Sequence, residues 1–106
     1  ILFRTKNSSS KWWEKPFNEN FICISPGAAA YLAKIKPLCI GVDYLSIGSP
    51  LTGVEAHQHL LGAEIWLIES LNLCSITAGN YELIFMPVNL ASAEGAPGRA
   101  LIKKVD

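Results

Sequence analysis

The chain has 106 residues, half of them apolar, and its nine basic and nine acidic side chains cancel to a formal net charge of zero. This length holds at most one modest core, and the apolar content argues against intrinsic disorder. Balanced charge, with no basic run and no aromatic-basic stripe, argues against a nucleic-acid footprint or a polybasic membrane patch, so the expected partner is a small molecule or another protein. No apolar run approaches the roughly 20 residues that span a bilayer, and the amino end lacks a charged region followed by an apolar one, which makes a cytoplasmic location the default. Cys23, Cys39 and Cys74 are odd in number and lack CxxC spacing. They read as buried free thiols, not as a disulfide framework or a zinc knuckle.

The chain opens on "ILFRT", without an initiator Met, as a strand already under way, which suggests the middle of a larger protein. "KNSSSKWWEKPFNEN" is a polar connection whose Trp12 and Trp13 either pack down as an anchor or line a binding cleft. After the apolar, β-branched run "FICIS", Ser25 and Pro26 supply an N-cap and a proline at the first helical position. A helix follows through "GAAAYLAKI" and stops at Pro37. "LCIGVDY" has strand character, "SIGSPLTG" is a loop, "VEAHQHLLGA" a second helix and "EIWLIESL" another strand. "YELIFMPV" and "RALIKKV" are the last two strands, separated by a loop whose Gly95, Pro97 and Gly98 are turn formers. Strands interleaved with two helices and closed by consecutive strands predict one α/β domain over 1–106 with a mixed sheet.

One pair of residues stands out against this core. Side-chain alternation puts Ile65, Leu67, Glu69 and Leu71 on one strand face and Glu64, Trp66, Ile68 and Ser70 on the other. Both faces are largely apolar, so Glu69 needs a cation, a set of donors or a raised pKa. Two residues apart on a helix lie about 200° around its axis, so only one of His57 and His59 can belong to a site there. His57, one turn before Leu60 and Leu61, is on the stripe expected to face the sheet, and His59 is the solvent-side residue. A helix that turns back into a strand can bring His57 beside Glu69, and imidazole plus carboxylate is a partial ligand set for zinc or manganese. Spacing alone leaves two alternatives open: His57 as a hydrogen-bonded core residue, and Glu69 paired with Arg4 or Arg99.

The ordered segments "ISPGAAAYLAKIKPLCIGVDYLSIGSP", "HQHLLGAEIWLIESLNL" and "FMPVNLASAEGAPGRALI", with their H-x2-LL, IE-x-L and G-x-P-x-R elements, resemble the carboxyl-terminal half of the cyclase family of metal-dependent hydrolases. That family includes bacterial kynurenine formamidase, an arylformamidase of tryptophan catabolism, and isatin hydrolase. The resemblance implies part of a swivelling β/β/α fold and an oligomeric enzyme that hydrolyses an amide or cyclic amide at a divalent metal, zinc or manganese. It makes His57 and Glu69 metal ligands, and suggests Asp43, Ser46 and Arg99 as residues that support the site or touch substrate. Bland roles for two of these are turn formation at Asp43 and a structural ion pair at Arg99. Gly48-Ser49 departs from the Asp-Pro of many relatives at that loop. The family's other ligands and its general acid/base lie in an amino-terminal H-x-G-T-H-x-D-x-P-x-H motif that nothing here resembles. This chain is accordingly expected to hold no catalytic acid/base and to need the missing half or further subunits. The competing function is a non-catalytic assembly module, or degenerate remnant, of the same fold.

Overall fold

A computed structural model describes residues 1–105. The chain divides into two compact units, Ile1–Ile76 and Thr77–Asp106, where the sequence reading takes a single domain. In the first unit β1 (Leu2–Phe3), β2 (Cys39–Val42) and β3 (Trp66–Ile68) form a parallel sheet in the order β1-β2-β3. The crossovers carry α1 (Pro26–Ile35) and α2 (Gly53–Gly62), which pack on each other. The second unit is an antiparallel hairpin of β4 (Tyr81–Pro87) and β5 (Gly98–Lys104). The α/β class with two helices stands, but the strands form two separate sheets instead of one mixed sheet.

The helix limits follow from local chemistry. Ser25 Oγ accepts from the Ala28 N–H at 3.3 Å, and Pro26 begins α1 at a position that needs no donor. At the other end Lys36 adopts φ 53° and donates its N–H to the Leu32 carbonyl at 2.9 Å, because Pro37 disfavours right-handed helix in the residue before it. On α1, Ala29 and Leu32 face inward, and on α2 Ala56 and Leu60 do so. They join Ile24, Ile40, Val42, Ile47 and Ile65 in one core, with Phe3, Ala63 and Leu67 packed against it. The register aligns Leu2, Gly41 and Ile68 across the strands. A β-carbon on Gly41 would meet the Leu2 and Leu71 side chains, so glycine makes room for those leucines.

The structure gives three features of the sequence a definite form. "FICIS" forms no strand; the Asn7 side-chain amide brackets Ile22, donating to its carbonyl at 2.9 Å and accepting from its N–H at 3.0 Å, while Ile24 donates to the Ile47 carbonyl at 2.8 Å. The polar connection is ordered as 3-10 turns at Lys6–Ser10 and Trp12–Glu14. Trp12 is an anchor, 5.3 Å from the Tyr44 ring, and Tyr44 in turn stacks on Phe21 at 4.4 Å. The three cysteines are free, as expected, but half-buried instead of buried. Among the described residues no helix is long and apolar enough to cross a membrane.

Candidate metal centre

Parallel strands put their carboxyl ends on one edge of the sheet, and in open α/β sheets that edge is where ligands bind. Asp43 follows β2 directly and Glu69 follows β3 directly. The strand reading of "EIWLIESL" is too long: β3 ends at Ile68, and Ser70 takes φ 62°. The alternation that puts Leu67, Glu69 and Leu71 on one face therefore breaks. Leu71 lies against Gly41, and Glu69 is at the rim, its side chain 34% exposed, where a charge is far less costly than in a dry core.

Glu69 meets His57. Its Oε1 lies 3.2 Å from His57 Nε2 and accepts the Ile47 N–H at 2.8 Å. Arg4 does not take this place: it donates to the Leu73 and Cys74 carbonyls. Arg99 is exposed on β5, in the second unit. His59 faces away, 3.8 Å from Glu55 one turn back, as its position on the helix predicts. The stripe containing His57 is narrower than expected, since Leu60 is fully buried and Leu61 is 55% exposed.

The chemistry of the donor set fits a metal ion. His57 Nδ1 lies 2.7 Å from the Gly53 carbonyl, which can only accept, so Nδ1 carries a hydrogen. In the neutral ring Nε2 is then an unprotonated nitrogen directed at a carboxylate oxygen. Two lone pairs at 3.2 Å call for a cation between them or a proton on Nε2. Two donors bound at about 2.1 Å to one tetrahedral ion lie roughly 3.4 Å apart, close to this spacing. An imidazole whose other nitrogen donates to a backbone carbonyl is the usual arrangement of a metal-binding histidine. Among the described residues, however, no three His, Cys, Asp or Glu side chains converge on one point. The pair offers two donor atoms, fewer than the roughly three protein ligands that a catalytic metal normally takes.

An open groove of about 670 Å³ runs along α2 beside this pair, lined by Ser46, Val54, His57, Gln58 and Leu61 among others. Ser46 therefore shares the groove with His57. Among the described residues the Asp43 side chain contacts neither His57 nor Glu69: its hydrogen bonds go to Thr5, Asn7 and Ser8. Sequence reasoning missed two backbone groups, the Ile47 N–H that holds Glu69 and the Gly53 carbonyl that orients His57. The available signal was the glycine pair around "SPLT". A β-carbon on Gly48 would lie 2.4 Å from Gly53 Cα, whereas one on Gly53 would have its nearest contact at 3.4 Å. Gly48→Ala should therefore destabilise by about 1–3 kcal/mol through forced backbone movement, with Gly53→Ala within about 1 kcal/mol of wild type. Urea unfolding of the two variants checks this asymmetry.

No family model matches the chain. Cyclase-like protein 2 of Oryza sativa subsp. japonica is 35% identical over 107 residues, which take in 98% of this chain and 39% of that protein. Kynurenine formamidase of Polaromonas naphthalenivorans (strain CJ2) is 31% identical over 106 residues, 99% of this chain and 45% of that enzyme. A solved structure described as a potential metal-dependent hydrolase with cyclase activity superposes with a TM-score of 0.85 at 35% identity, over 95% of this chain and 48% of its own. Another, described as a predicted metal-dependent hydrolase from Bacillus stearothermophilus, gives 0.84 at 35% identity, over 95% and 47%. The chain spans less than half the length of each of these proteins. In sequence and in fold the chain is therefore a homologue of part of the cyclase-like proteins, the kynurenine formamidases and a structure described as a potential metal-dependent hydrolase with cyclase activity.

Proposed function

We propose that the chain contributes His57 and Glu69 to the metal centre of a hydrolase that cleaves the C–N bond of an amide or cyclic amide, as kynurenine formamidase does. The observation that carries this reading is the pair itself, an acceptor nitrogen and a carboxylate oxygen 3.2 Å apart at the carboxyl edge of the sheet. When bound, a divalent ion such as zinc or manganese supplies Lewis acidity toward a carbonyl and lowers the pKa of water. The chain's own residues do the positioning: the Gly53 carbonyl holds the His57 ring, and the Ile47 N–H restricts Glu69 Oε1. Ser46, Gln58 and the apolar Val54 and Leu61 of the adjacent groove are placed to receive the substrate.

A catalytic metal normally has about three protein ligands. The remaining ligand and the general acid/base are assigned to residues outside this sequence, in the part of the relatives' length that it does not span or in another copy. Leu38, Leu51, Val54 and Trp66, exposed at 82, 95, 75 and 71%, are apolar side chains that association would cover. The same surface suits an assembly module, so the deciding experiment reads metal directly. Native mass spectrometry after zinc or manganese addition should show bound ion, lost in His57→Ala and in Glu69→Ala and kept in His59→Ala. Retention in all three variants would remove the metal assignment and leave the assembly role.

A further inference from the structure

We propose that Asp43 is a positioning residue for Glu69, acting through the backbone of the Asp43–Ile47 loop; the inference rests on Glu69 as a metal ligand. Asp43 is fully buried. Its Oδ1 accepts from Thr5 Oγ1 at 2.8 Å and from Asn7 Nδ2 at 3.3 Å. Its Oδ2 accepts from Thr5 N at 2.6 Å, Ser8 N at 3.1 Å and Ser8 Oγ at 2.7 Å. Five donors meet about four lone-pair sites, so the carboxylate has no capacity left for a substrate or a metal. Its work is to fasten the segment after β1 to the first residue after β2.

The loop fastened at Asp43 is the one that holds Glu69. The Tyr44 carbonyl accepts the Ser70 N–H at 2.7 Å, fixing the main chain just beyond Glu69. Three residues later the Ile47 N–H donates to Glu69 Oε1 at 2.8 Å, and the Ile47 carbonyl is itself held by the Ile24 N–H. Main chain and side chain of the proposed ligand thus both depend on five consecutive residues. The first of these, Asp43, is clamped by Thr5, Asn7 and Ser8, and the second, Tyr44, by ring contacts from Phe21 and Trp12. Groups that orient metal ligands are typically worth 10–100-fold in metal affinity. A carboxylate that only stabilised the fold would lower the melting temperature and leave the affinity of the folded protein alone.

The test uses the full chain with Thr5→Val and Ser8→Ala, each of which deletes one hydroxyl donor to Asp43, together with Asp43→Asn. Leu32→Val, in the core of α1, serves as a control for general loosening. Two quantities are read at a temperature where circular dichroism shows each variant folded: zinc affinity by calorimetry and hydrogen exchange of the Ile47 amide. We expect zinc binding weakened 10–100-fold in Asp43→Asn and several-fold in the two hydroxyl deletions, with faster Ile47 exchange in all three and neither change in Leu32→Val. Unchanged Ile47 exchange in folded Thr5→Val and Ser8→Ala overturns the proposal, and so does an equal loss of zinc affinity in Leu32→Val. Should zinc affinity be the same in wild type and Glu69→Ala while Ile47 exchange still responds to the clasp variants, the positioning of Glu69 stands and the metal reading falls.

Discussion

Asp43→Ala is expected to destabilise the first unit by about 3 kcal/mol or more. It leaves five donors from Thr5, Asn7 and Ser8 without their acceptor inside the fold, and hydrogen bonds to charged groups are worth about 1.5–3 kcal/mol each when partners are lost singly. Losses within one cluster are not additive, which sets the total below the sum. Guanidinium unfolding followed by tryptophan fluorescence is a suitable probe, because Trp12 packs on Tyr44, the residue after Asp43. A loss under 1 kcal/mol would mean that water replaces the carboxylate without penalty and that the clasp is not the organising feature of this edge.

The same carboxylate sets a pH dependence. Burial of Asp43 acts to raise its pKa, but the hydrogen bonds from Ser8 and Thr5 outweigh it and hold the group below its ordinary value of 3.8. The folded state therefore binds this proton less readily than the unfolded chain. The stabilisation is fully present above the unfolded pKa of about 3.9 and is lost as pH falls through the lower folded value. The stability difference between wild type and Asp43→Asn should stay constant from neutral pH down to about pH 4 and shrink below it. A difference that grew on acidification would show that the group is held protonated.

The second large effect is expected at Leu60. This side chain is fully buried on α2, one turn from His57, in the core shared with Ile40 and Ile65. Leu60→Ala should cost about 2–5 kcal/mol, the transfer term of the lost methyl groups plus the cavity they leave. Leu61→Ala, at a half-exposed position one residue on, should stay within about 0.5 kcal/mol. The comparison reads the rotation of α2 about its axis, and hence the direction in which His57 points. Comparable losses at the two positions would mean that α2 turns a broader face inward and that His57 is not at its margin.

Much of the scaffold was legible in the chain. Ser25-Pro26 and Pro37 mark the limits of α1 because caps and proline act within one turn of the backbone. The apolar period of "VEAHQHLLGA" locates α2 to within a residue and separates His57 from His59 by angle alone. The twelve-residue spacing of His57 and Glu69 across a helix-to-strand return makes their meeting plausible, and the family resemblance singles them out.

Other features required the folded chain. Whether Glu69 takes His57 or Arg4 was not legible, because the left-handed turn at Ser70 ends β3 early and no glycine marks it in the sequence. Asp43 could be a turn former, a ligand or a substrate contact by type. Only the tertiary path brings Thr5, Asn7 and Ser8, 35 to 38 residues earlier in the chain, to its two oxygens. The separation of β4 and β5 from the parallel sheet was equally hidden, because alternation fixes which face a residue takes and not which strand lies beside it. Local hydrogen bonding and side-chain period thus determined the elements and nominated the site residues. Long-range hydrogen bonds between segments distant in sequence decided which of those residues meet.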